Sequence, residues 1–373
     1  MRIGVPTEIK SGERRVGLTP ESAAELVAHG HEVLIQSGAG DGIGAADDDY
    51  VEGGATIAPD AKTVFGESTM IIKVKEPQAE ERAMLTADHV LFTYLHLAPD
   101  PDQTADLVAS GATCIAYETI VDRDGRLPLL APMSQVAGRL SVQAGAHALE
   151  VSQGGAGVLL GGVPGVAPAR TVVIGGGVVG VNAIEMANGL GSEVTVLDRD
   201  LGVLERLARR FGPSLRTVYS TGASLQAEVL SADLVIGAVL VTGARAPKLV
   251  TAELVSQMRP GSVLVDVAID QGGCFETSRA TTHAEPTYLV DGVVHYCVAN
   301  MPGAVPRTSS FALNNATLPY AIRLADHGFR EVLTKDPLIA HGLNVHRGMV
   351  TEPSVARDLG YDYVDPMTAI TRA

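Results

Sequence analysis

Two charged side chains in the first third of the sequence close short apolar runs. Lys75 follows the run MIIKV, and His96 follows the run VLFTYL. Both are therefore predicted at the carboxyl edge of one parallel sheet. A single lysine is usually solvated, and a single histidine at a strand end is usually structural. Two such residues at one edge favour a site, where a histidine can move protons near neutral pH.

A pair of arginines lies in the loop KSGERRVGLTP, between the first predicted strand and the first predicted helix. Arg15, with Arg14 beside it, would lie at the same edge of the sheet. A guanidinium there can hold a carboxylate through two parallel hydrogen bonds. An ordinary exposed loop arginine is the alternative interpretation.

The segment TVVIGGGVVGVNAIEMANGLGSEVTVLD has the pattern of a dinucleotide-binding turn. Gly175, Gly177 and Gly180 form GxGxxG between an apolar run and a helical stretch, and Asp198 ends the next apolar run. These glycines permit a tight turn, a close approach to pyrophosphate and helix packing. Asp198 would bind the adenosine ribose and favour NAD over NADP, a preference that the adjacent Arg199 weakens. A glycine-rich packing turn without nucleotide is the alternative.

Residues that follow the other predicted strands of this region complete the candidate cofactor site, because ligands of such sheets bind beyond the carboxyl ends of the strands. We expect Ser220 on the adenosine side. Asp270 is predicted to end the strand GSVLVDVAI, with the nicotinamide near it. The candidates at that end are Leu240, Ile269, Asp270, Val298, Asn300 and Met301. An ordinary loop role is the alternative for each.

These groups together predict hydride chemistry on a small acid. Nicotinamide exchanges hydride with a substrate carbon, and the group on that carbon must gain or lose protons, a task suited to His96. Lys75 and Arg15 would hold the carboxylate and fix the geometry of the transfer. The residues therefore predict a dehydrogenase of a small amino or hydroxy acid and do not choose between the two.

The elements that position these residues alternate between strands and helices, which predicts parallel sheets with right-handed crossovers. A first helix is predicted from the cap Thr19, with Pro20 at its first position, to Gly30, and a long helix is predicted over Met133–Glu150. The predicted strands are Arg2–Val5, Glu32–Gln36, Met70–Val74, Val90–Leu95, Thr113–Tyr117, Thr171–Ile174, Glu193–Leu197, Leu234–Ala238, Ser262–Ile269 and Val293–Val298.

The fold class predicted from this pattern is α/β, with two Rossmann-like, doubly wound domains. A chain of 373 residues has the length of two domains. The C-terminal part carries no new Rossmann signal, so we expect it to return to the first domain. The predicted substrate domain is then residues 1–128 and 307–373, discontinuous in sequence, and the NAD-binding domain is residues 129–306.

Composition excludes several classes of protein. A net charge of −15 argues against a nucleic-acid partner. Cys114, Cys274 and Cys297 have no zinc-site or CxxC spacing, so no metal site is predicted. The N-terminal run is too polar for a signal peptide, and the least charged stretch, residues 154–169, is broken by two prolines. We therefore expect a soluble, cytoplasmic protein without a membrane partner.

Three stretches of the sequence resemble the conserved regions of alanine dehydrogenases and of the nucleotide-binding subunit of proton-translocating transhydrogenase. They are IGVPTEIKSGERRVGLTP, GAGDGIGAADDDYVEGGA and VIGGGVVGVNAIEMANGLG. The likeness extends over essentially the whole chain. It implies an amino-acid catabolic oxidoreductase that converts L-alanine and NAD reversibly to pyruvate and ammonia, with glyoxylate as a second candidate oxo-acid. It also implies a homohexamer.

The same resemblance implies a role for each candidate residue. Arg15 and Lys75 bind the substrate carboxylate, His96 is the general acid/base, and Asp270 supports proton transfer. Met133 and Asn300 shape the pocket around the substrate and the nicotinamide. The implied cofactor-binding residues are Ser134, Gly175, Gly177, Val178, Val179, Gly180, Asp198, Ser220, Leu240, Ile269, Val298 and Met301.

Three other functions are compatible with parts of this pattern. A transhydrogenase-like NAD(H)-binding subunit passes hydride to a partner domain, but its members carry an Arg/Gln/Asp loop that the stretch LLAPMSQVAGRLSVQAGA lacks. Opine dehydrogenases of the saccharopine type share the architecture and act on larger substrates. A catalytically silent NAD-binding sensor would not need Arg15, Lys75, His96 and Asp270 together.

Overall fold

Short apolar runs and helical segments alternate along the chain, and the computed structural model, which describes residues 1–239 and 247–372, shows the elements that they form. In chain order the strands are β1 (Arg2–Val5), β2 (Glu32–Gln36), β3 (Thr56–Ala58), β4 (Met70–Ile72), β5 (Val90–Thr93), β6 (Thr113–Ala116), β7 (Arg170–Ile174), β8 (Glu193–Asp198), β9 (Leu215–Tyr219), β10 (Leu234–Gly237), β11 (Val263–Asp266), β12 (Thr287–Val290), β13 (Val293–Tyr296), β14 (Leu343–His346) and β15 (Met349–Val350).

The helices separate these strands. They are α1 (Pro20–Ala28), α2 (Asp47–Glu52), α3 (Ala61–Glu67), α4 (Ala79–Arg82), α5 (Pro101–Ser110), α6 (Ala131–Ala148), α7 (Val178–Gly189), α8 (Leu201–Phe211), α9 (Gly222–Ser231), α10 (Ala252–Ser256), α11 (Pro306–His327), α12 (Phe329–Lys335), α13 (Pro337–Ala340), α14 (Pro353–Leu359) and α15 (Pro366–Arg372). Within residues 1–239 and 247–372, no helix combines the length and the apolar character needed to cross a membrane.

The chain divides into two units, one made of Met1–Met133 with Val305–Ala373 and the other of Ser134–Ala304. Each unit contains one mostly parallel sheet with helices along it. The predicted α/β class, with two doubly wound domains of which the first is discontinuous, is confirmed.

In the first unit, eight of the described strands form a sheet in the order β15-β14-β6-β5-β4-β1-β2-β3. The chain runs outwards from β1 through β2 to β3, and then continues with β4 on the other side of β1. In doubly wound sheets this reversal of direction marks the crevice where ligands bind, beyond the carboxyl ends of the strands. The loops after β1 and β4 are therefore placed to form a site.

In the second unit, seven of the described strands form a sheet in the order β12-β13-β11-β10-β7-β8-β9. Its reversal lies between β7 and β10, which pair in parallel. Strands β10, β11 and β13 are buried along their whole length, as expected for parallel strands with helices on both faces. The glycine-rich turn follows β7 directly, so it lies at this reversal.

Helix α1 begins where its sequence predicts, since Thr19 Oγ1 accepts a hydrogen bond from the Ser22 N–H at 3.4 Å and Pro20 is the first helical residue. The helix ends at Ala28, and Gly30 then adopts a left-handed conformation with a φ of 84°. The long helix α6 begins and ends two residues before the predicted Met133–Glu150.

Six predicted strands extend too far at their carboxyl ends, β6 and β10 by one residue, β4, β5 and β13 by two, and β11 by three. Strand β4 stops at Ile72, β5 at Thr93 and β11 at Asp266. The apolar runs continue because the residues are largely buried, but the N–H groups of Val74, Leu95 and Ala268 bond to side-chain carboxylates instead of a neighbouring strand. The prediction that Asp270 ends a strand is wrong for this reason, since it lies in the 3₁₀ turn Val267–Gln271 that begins after the Asp266 carboxylate.

We predict that His346 makes the stability of the protein depend on pH. This buried residue of β14 lies 2.9 Å from Thr113 Oγ1, and burial with the charges of Arg330 and Arg347 lowers its pKa from 6.5 to about 4. The unfolded chain takes up this proton near pH 6.5, so the free energy of unfolding should fall between pH 6.5 and 4, by about 3 kcal/mol from this group.

Urea denaturation of wild type and of His346→Asn at pH 7, 6, 5 and 4.5 measures this contribution. The exposed His147, replaced in the same way, is the matched control. If the three proteins lose stability equally on acidification, His346 does not carry the effect.

Candidate functional site

Three of the four substrate-site candidates in the first unit lie in loops that leave neighbouring strands at one edge of the sheet. Lys75 and His96 each lie three residues beyond the ends of β4 and β5, and Arg15 lies between β1 and α1. Strand β4 pairs in parallel with both β1 and β5. The sheet order therefore brings the three loops together, although they are distant in sequence.

The Arg15 guanidinium is buried and held by a nearby carboxylate. Its Nε donates to Glu13 Oε1 at 2.7 Å and its Nη2 to Glu13 Oε2 at 2.5 Å, and only 2% of Arg15 is exposed. Burial alone would lower the pKa of Arg15, but hydrogen bonds and attraction to Glu13 raise it above its ordinary value. The sulfur of Met133 lies 3.0 Å from Nη1. Arg15 is thus a permanent cation in a fixed plane, a geometry suited to a carboxylate ligand.

A buried group of three charges lies beneath the loop that carries Lys75. Lys73 is fully buried, and its Nζ forms ion pairs with Glu8 Oε2 at 3.1 Å and with Glu81 Oε1 at 2.7 Å. Burial would lower the pKa of Lys73, but the two carboxylates raise it, so this lysine keeps its charge. Burial raises the pKa of Glu8 despite the attraction of Lys73.

Glu8 also fixes the main chain that leads to Lys75. Its Oε1 accepts a hydrogen bond from the Val74 N–H at 2.6 Å, and both of its oxygens lie 3.4 Å from the Lys75 nitrogen. The Nζ of Lys75 lies 3.7 Å from Glu76 Oε2. Neither Glu8 nor Glu13 was identified from the sequence. Glu13 had a local signal, as an acidic residue two positions before Arg15, whereas Glu8 contacts the main chain of a residue 67 positions away in sequence.

His96 combines an unusual backbone with an accessible side chain. Its φ is 49°, in the left-handed region, and 43% of its side chain is exposed. The imidazole stacks on the ring of Tyr94, with the ring centroids 5.8 Å apart and an interplanar angle of 4°. The Tyr94 hydroxyl donates to the Leu129 carbonyl at 2.6 Å. The stacking platform is therefore itself anchored, and the imidazole remains open to a ligand.

In the glycine-rich turn of the second unit, some positions have no room for a side chain and one has. Gly175 has a φ of 102°, and a Cβ at Gly180 would lie 1.8 Å from the Gly175 carbonyl oxygen. A Cβ at Gly177, which precedes the first residue of α7, would have no contact within 4 Å among the described residues. Gly176 was not singled out from the sequence, yet a Cβ there would lie 2.5 Å from Val203 Cγ1.

Asp198 lies at the end of β8, beside this turn. Its Oδ2 accepts a hydrogen bond from the Gly176 N–H at 2.7 Å, and its carbonyl accepts one from the Ser220 N–H at 2.9 Å. The structure therefore brings Asp198 and Ser220 to the glycine turn. Val178 and Val179 are the first residues of α7, where main-chain N–H groups can bind an anion. Ser134 is a partly buried residue of α6.

The candidates for the nicotinamide side lie in two turns of the second unit. The Asn300 N–H donates to Asp270 Oδ1 at 3.3 Å, and Asn300 is left-handed with a φ of 61°. Ile269 shares the 3₁₀ turn of Asp270, and the turn with Asn300 also carries the buried Val298 and Met301. The structure thus brings these two turns into contact. Leu240 lies outside the described residues.

Asp266, which was not identified from the sequence, organises the loop that follows β11. It is fully buried, and its Oδ2 accepts hydrogen bonds from the Cys274 N–H at 2.9 Å and from Ser278 Oγ at 2.6 Å. Burial raises its pKa despite these bonds. In the sequence, Asp266 could have been noticed as the single charged residue inside the apolar run GSVLVDVAI.

Two family models match most of the chain. "Alanine dehydrogenase/PNT, N-terminal domain" matches residues 4–137, and "Alanine dehydrogenase/PNT, C-terminal domain" matches residues 141–353. Alanine dehydrogenase from Halomonas elongata is 60% identical over 99% of this chain and 100% of that protein. Alanine dehydrogenase from Mycobacterium tuberculosis H37Rv is 52% identical over the same shares of each chain.

Solved structures show the same relationship. A structure described as L-alanine dehydrogenase superposes with a TM-score of 0.94 at 53% identity, covering 96% of this chain and 99% of that one. A transhydrogenase from Sinorhizobium meliloti superposes with a TM-score of 0.82 at 24% identity, covering 94% of this chain and 100% of that one. The latter likeness concerns the fold alone.

We predict that Lys73→Met destabilises the protein strongly, because it leaves the carboxylates of Glu8 and Glu81 buried without their cation. The expected loss at pH 7 is about 3–5 kcal/mol of unfolding free energy, measured by urea denaturation. Lys335→Met, which breaks an exposed pair with Glu331, is the matched control and should cost at most about 1 kcal/mol. Similar losses of unfolding free energy in both variants would contradict a special contribution of the buried ion pairs to stability.

We also predict that two glycine variants separate folding from nucleotide binding. Gly180→Ala should lower both the Tm and the affinity for NADH, since its Cβ collides with the main chain of the turn. Gly177→Ala should keep the wild-type Tm and weaken NADH binding by about tenfold or more, a change of 1.4 kcal/mol or greater. Thermal unfolding and fluorescence titration measure the two effects. Wild-type NADH affinity in Gly177→Ala would argue against a pyrophosphate at this backbone.

Proposed function

The chain belongs to the alanine dehydrogenase/PNT family, and we propose on this premise that it catalyses the reversible, NAD-dependent oxidative deamination of L-alanine to pyruvate and ammonia. It is an oxidoreductase acting on a CH–NH2 group. The observation that carries the proposal is the arrangement of Arg15, Lys75 and His96 at one sheet edge, in a chain with high identity to alanine dehydrogenases over its whole length.

The described residues of the second unit fit a bound NAD. The main chain at Gly177 is open to a pyrophosphate, and the first N–H groups of α7 have no side-chain cap. The Asp198 carboxylate suits ribose hydroxyls, and its charge opposes a 2′-phosphate. We propose as NAD-binding residues Ser134, Gly175, Gly177, Val178, Val179, Gly180, Asp198, Ser220, Leu240, Ile269, Val298 and Met301.

We assign substrate binding to the first unit. Arg15 and Lys75 hold the carboxylate of alanine, and Met133, packed against the guanidinium, shapes the pocket. Glu13 fixes the plane of that guanidinium, so the bound carboxylate has a defined orientation and its α-carbon a defined position. We also propose Asn300 as a substrate-binding residue. NAD, when bound, supplies the acceptor for the hydride that leaves the α-carbon.

His96 then manages the protons of the hydrolytic steps. Loss of hydride and a proton from alanine leaves iminopyruvate. His96 takes a proton from the attacking water as the water oxygen bonds to the imine carbon, and then gives that proton to the nitrogen. It next takes the proton of the carbinolamine hydroxyl while the C–N bond breaks, which releases ammonia and leaves pyruvate. Asp270 supports these transfers. Amination of pyruvate follows the same steps in reverse.

Other properties follow from the family alone. We propose a homohexamer that acts in the cytoplasm in amino-acid catabolism. Glyoxylate is a second candidate oxo-acid, because one methyl group changes binding by only about 1–3 kcal/mol. A transhydrogenase-like NAD(H)-binding subunit is the alternative, and it is less supported because the high-identity relatives are alanine dehydrogenases.

We predict that purified protein consumes NADH only when pyruvate and ammonium are both present. His96→Ala should lower kcat by about 10²–10⁴-fold without weakening NADH binding, as expected for loss of a general acid/base. Arg15→Met should mainly raise the KM for pyruvate. The NADH absorbance band reports the rates, and fluorescence titration reports binding. A wild-type protein that binds NADH but does not consume it would overturn the proposed function.

A further inference from the structure

Glu118 contacts the backbone of the residue to which we assign proton transfer. It lies in the 3₁₀ turn Tyr117–Thr119, directly after β6, the strand next to β5. Its Oε1 accepts hydrogen bonds from the His96 N–H at 2.6 Å and from the Leu95 N–H at 3.1 Å. Only 13% of the Glu118 side chain is exposed. One nearly buried carboxylate therefore takes two successive N–H groups just beyond the end of β5.

These two bonds hold a conformation that the chain does not favour by itself. His96 has a φ of 49°, and residues with a Cβ enter this region only at a cost that the surroundings must offset. A charged acceptor forms stronger bonds than a neutral one. On the other side of the same turn, Gln103 Nε2 donates to the Leu95 carbonyl at 2.6 Å. The peptide between Leu95 and His96 is thus fixed by side chains from two other elements.

The fixed backbone determines where the imidazole lies. His96 stacks on Tyr94 with its ring nearly parallel, and Tyr94 is anchored at Leu129. The Nδ1 of His96 lies 3.7 Å from Glu118 Oε1, beyond hydrogen-bond distance but close enough for attraction when the imidazole carries a proton. The same carboxylate oxygen therefore bonds to the main chain of His96 and lies beside its ring.

We propose that Glu118 is a positioning residue for His96, which it holds in the left-handed conformation that directs the imidazole to the substrate. The proposal rests on the proposed function, since it gives His96 the proton-transfer role. Glu118 acts through His96 alone and does not touch the substrate. Its loss should therefore affect kcat, while Arg15 and Lys75 still bind the carboxylate and leave the KM for pyruvate nearly unchanged.

The first test compares three variants in the NADH, pyruvate and ammonium assay, with active enzyme counted by NADH titration. Glu118→Ala removes both acceptors and should lower kcat by about 10–100-fold, with the KM for pyruvate within about twofold. Glu118→Gln keeps one side-chain carbonyl oxygen where both N–H groups converge, so it should restore most of the lost kcat. Glu150→Ala removes a glutamate that contacts the exposed His147 and should match wild type. A Gln variant as slow as the Ala variant would overturn positioning through the backbone.

The second test is a double-mutant cycle with His96→Ala. If Glu118 acts through His96, Glu118→Ala should not slow the His96→Ala protein by more than about twofold. An equal loss in both backgrounds would overturn the proposal, because it would reveal a general structural role. If Glu118→Ala does not fold, Glu118→Asp, whose carboxylate is one methylene shorter, replaces it in the same cycle. If the proposed function itself is wrong, the wild-type protein will not consume NADH with pyruvate and ammonium, and this result would be seen before any variant is compared.

Discussion

A parallel strand that ends leaves main-chain N–H groups that no neighbouring strand can accept, and buried carboxylates take these groups at the candidate site. Glu8 does so beyond β4, Glu118 beyond β5 and Asp266 beyond β11. A buried N–H group without an acceptor destabilises the folded protein, and a charged acceptor forms a strong hydrogen bond with it. The same bonds therefore end the strands and hold the loops that carry the candidate residues. The positions of these side chains and the stability of the strand ends consequently depend on the same contacts.

Ten of the fifteen described strands were predictable because burial leaves a regular pattern in the sequence. Strands covered on both faces appear as continuous apolar runs, and β1 and β2 were placed at their observed residues on that basis. The same signal predicted β11 too long, since Ala268 and Ile269 are buried but no longer paired. Burial and pairing coincide in the middle of a strand and separate at its end, so the sequence pattern locates strands better than it locates their ends.

Site residues were predictable where the residue type and its place in a local sequence pattern were enough to indicate a role. Lys75 and His96 were found because each closes an apolar run, and the glycine turn was found because its spacing has a steric cause. Glu118 and Glu8 could not be found in this way. Their partners lie 22 and 67 residues away in sequence, and an isolated glutamate resembles any solvated one until the sheet order is known. Such contacts depend on tertiary structure and leave no local pattern.

The discontinuity of the first unit has a consequence for how the protein is made. Strand β14 pairs with β6 through contacts such as that between Thr113 and His346, which are separated by 233 residues. A ribosome therefore completes the second unit before it synthesises the last strands of the first. Until then the edge of β6 is unpaired and available to other chains. We expect nascent chains to need protection at this edge, and the unit that begins first in sequence to finish folding last.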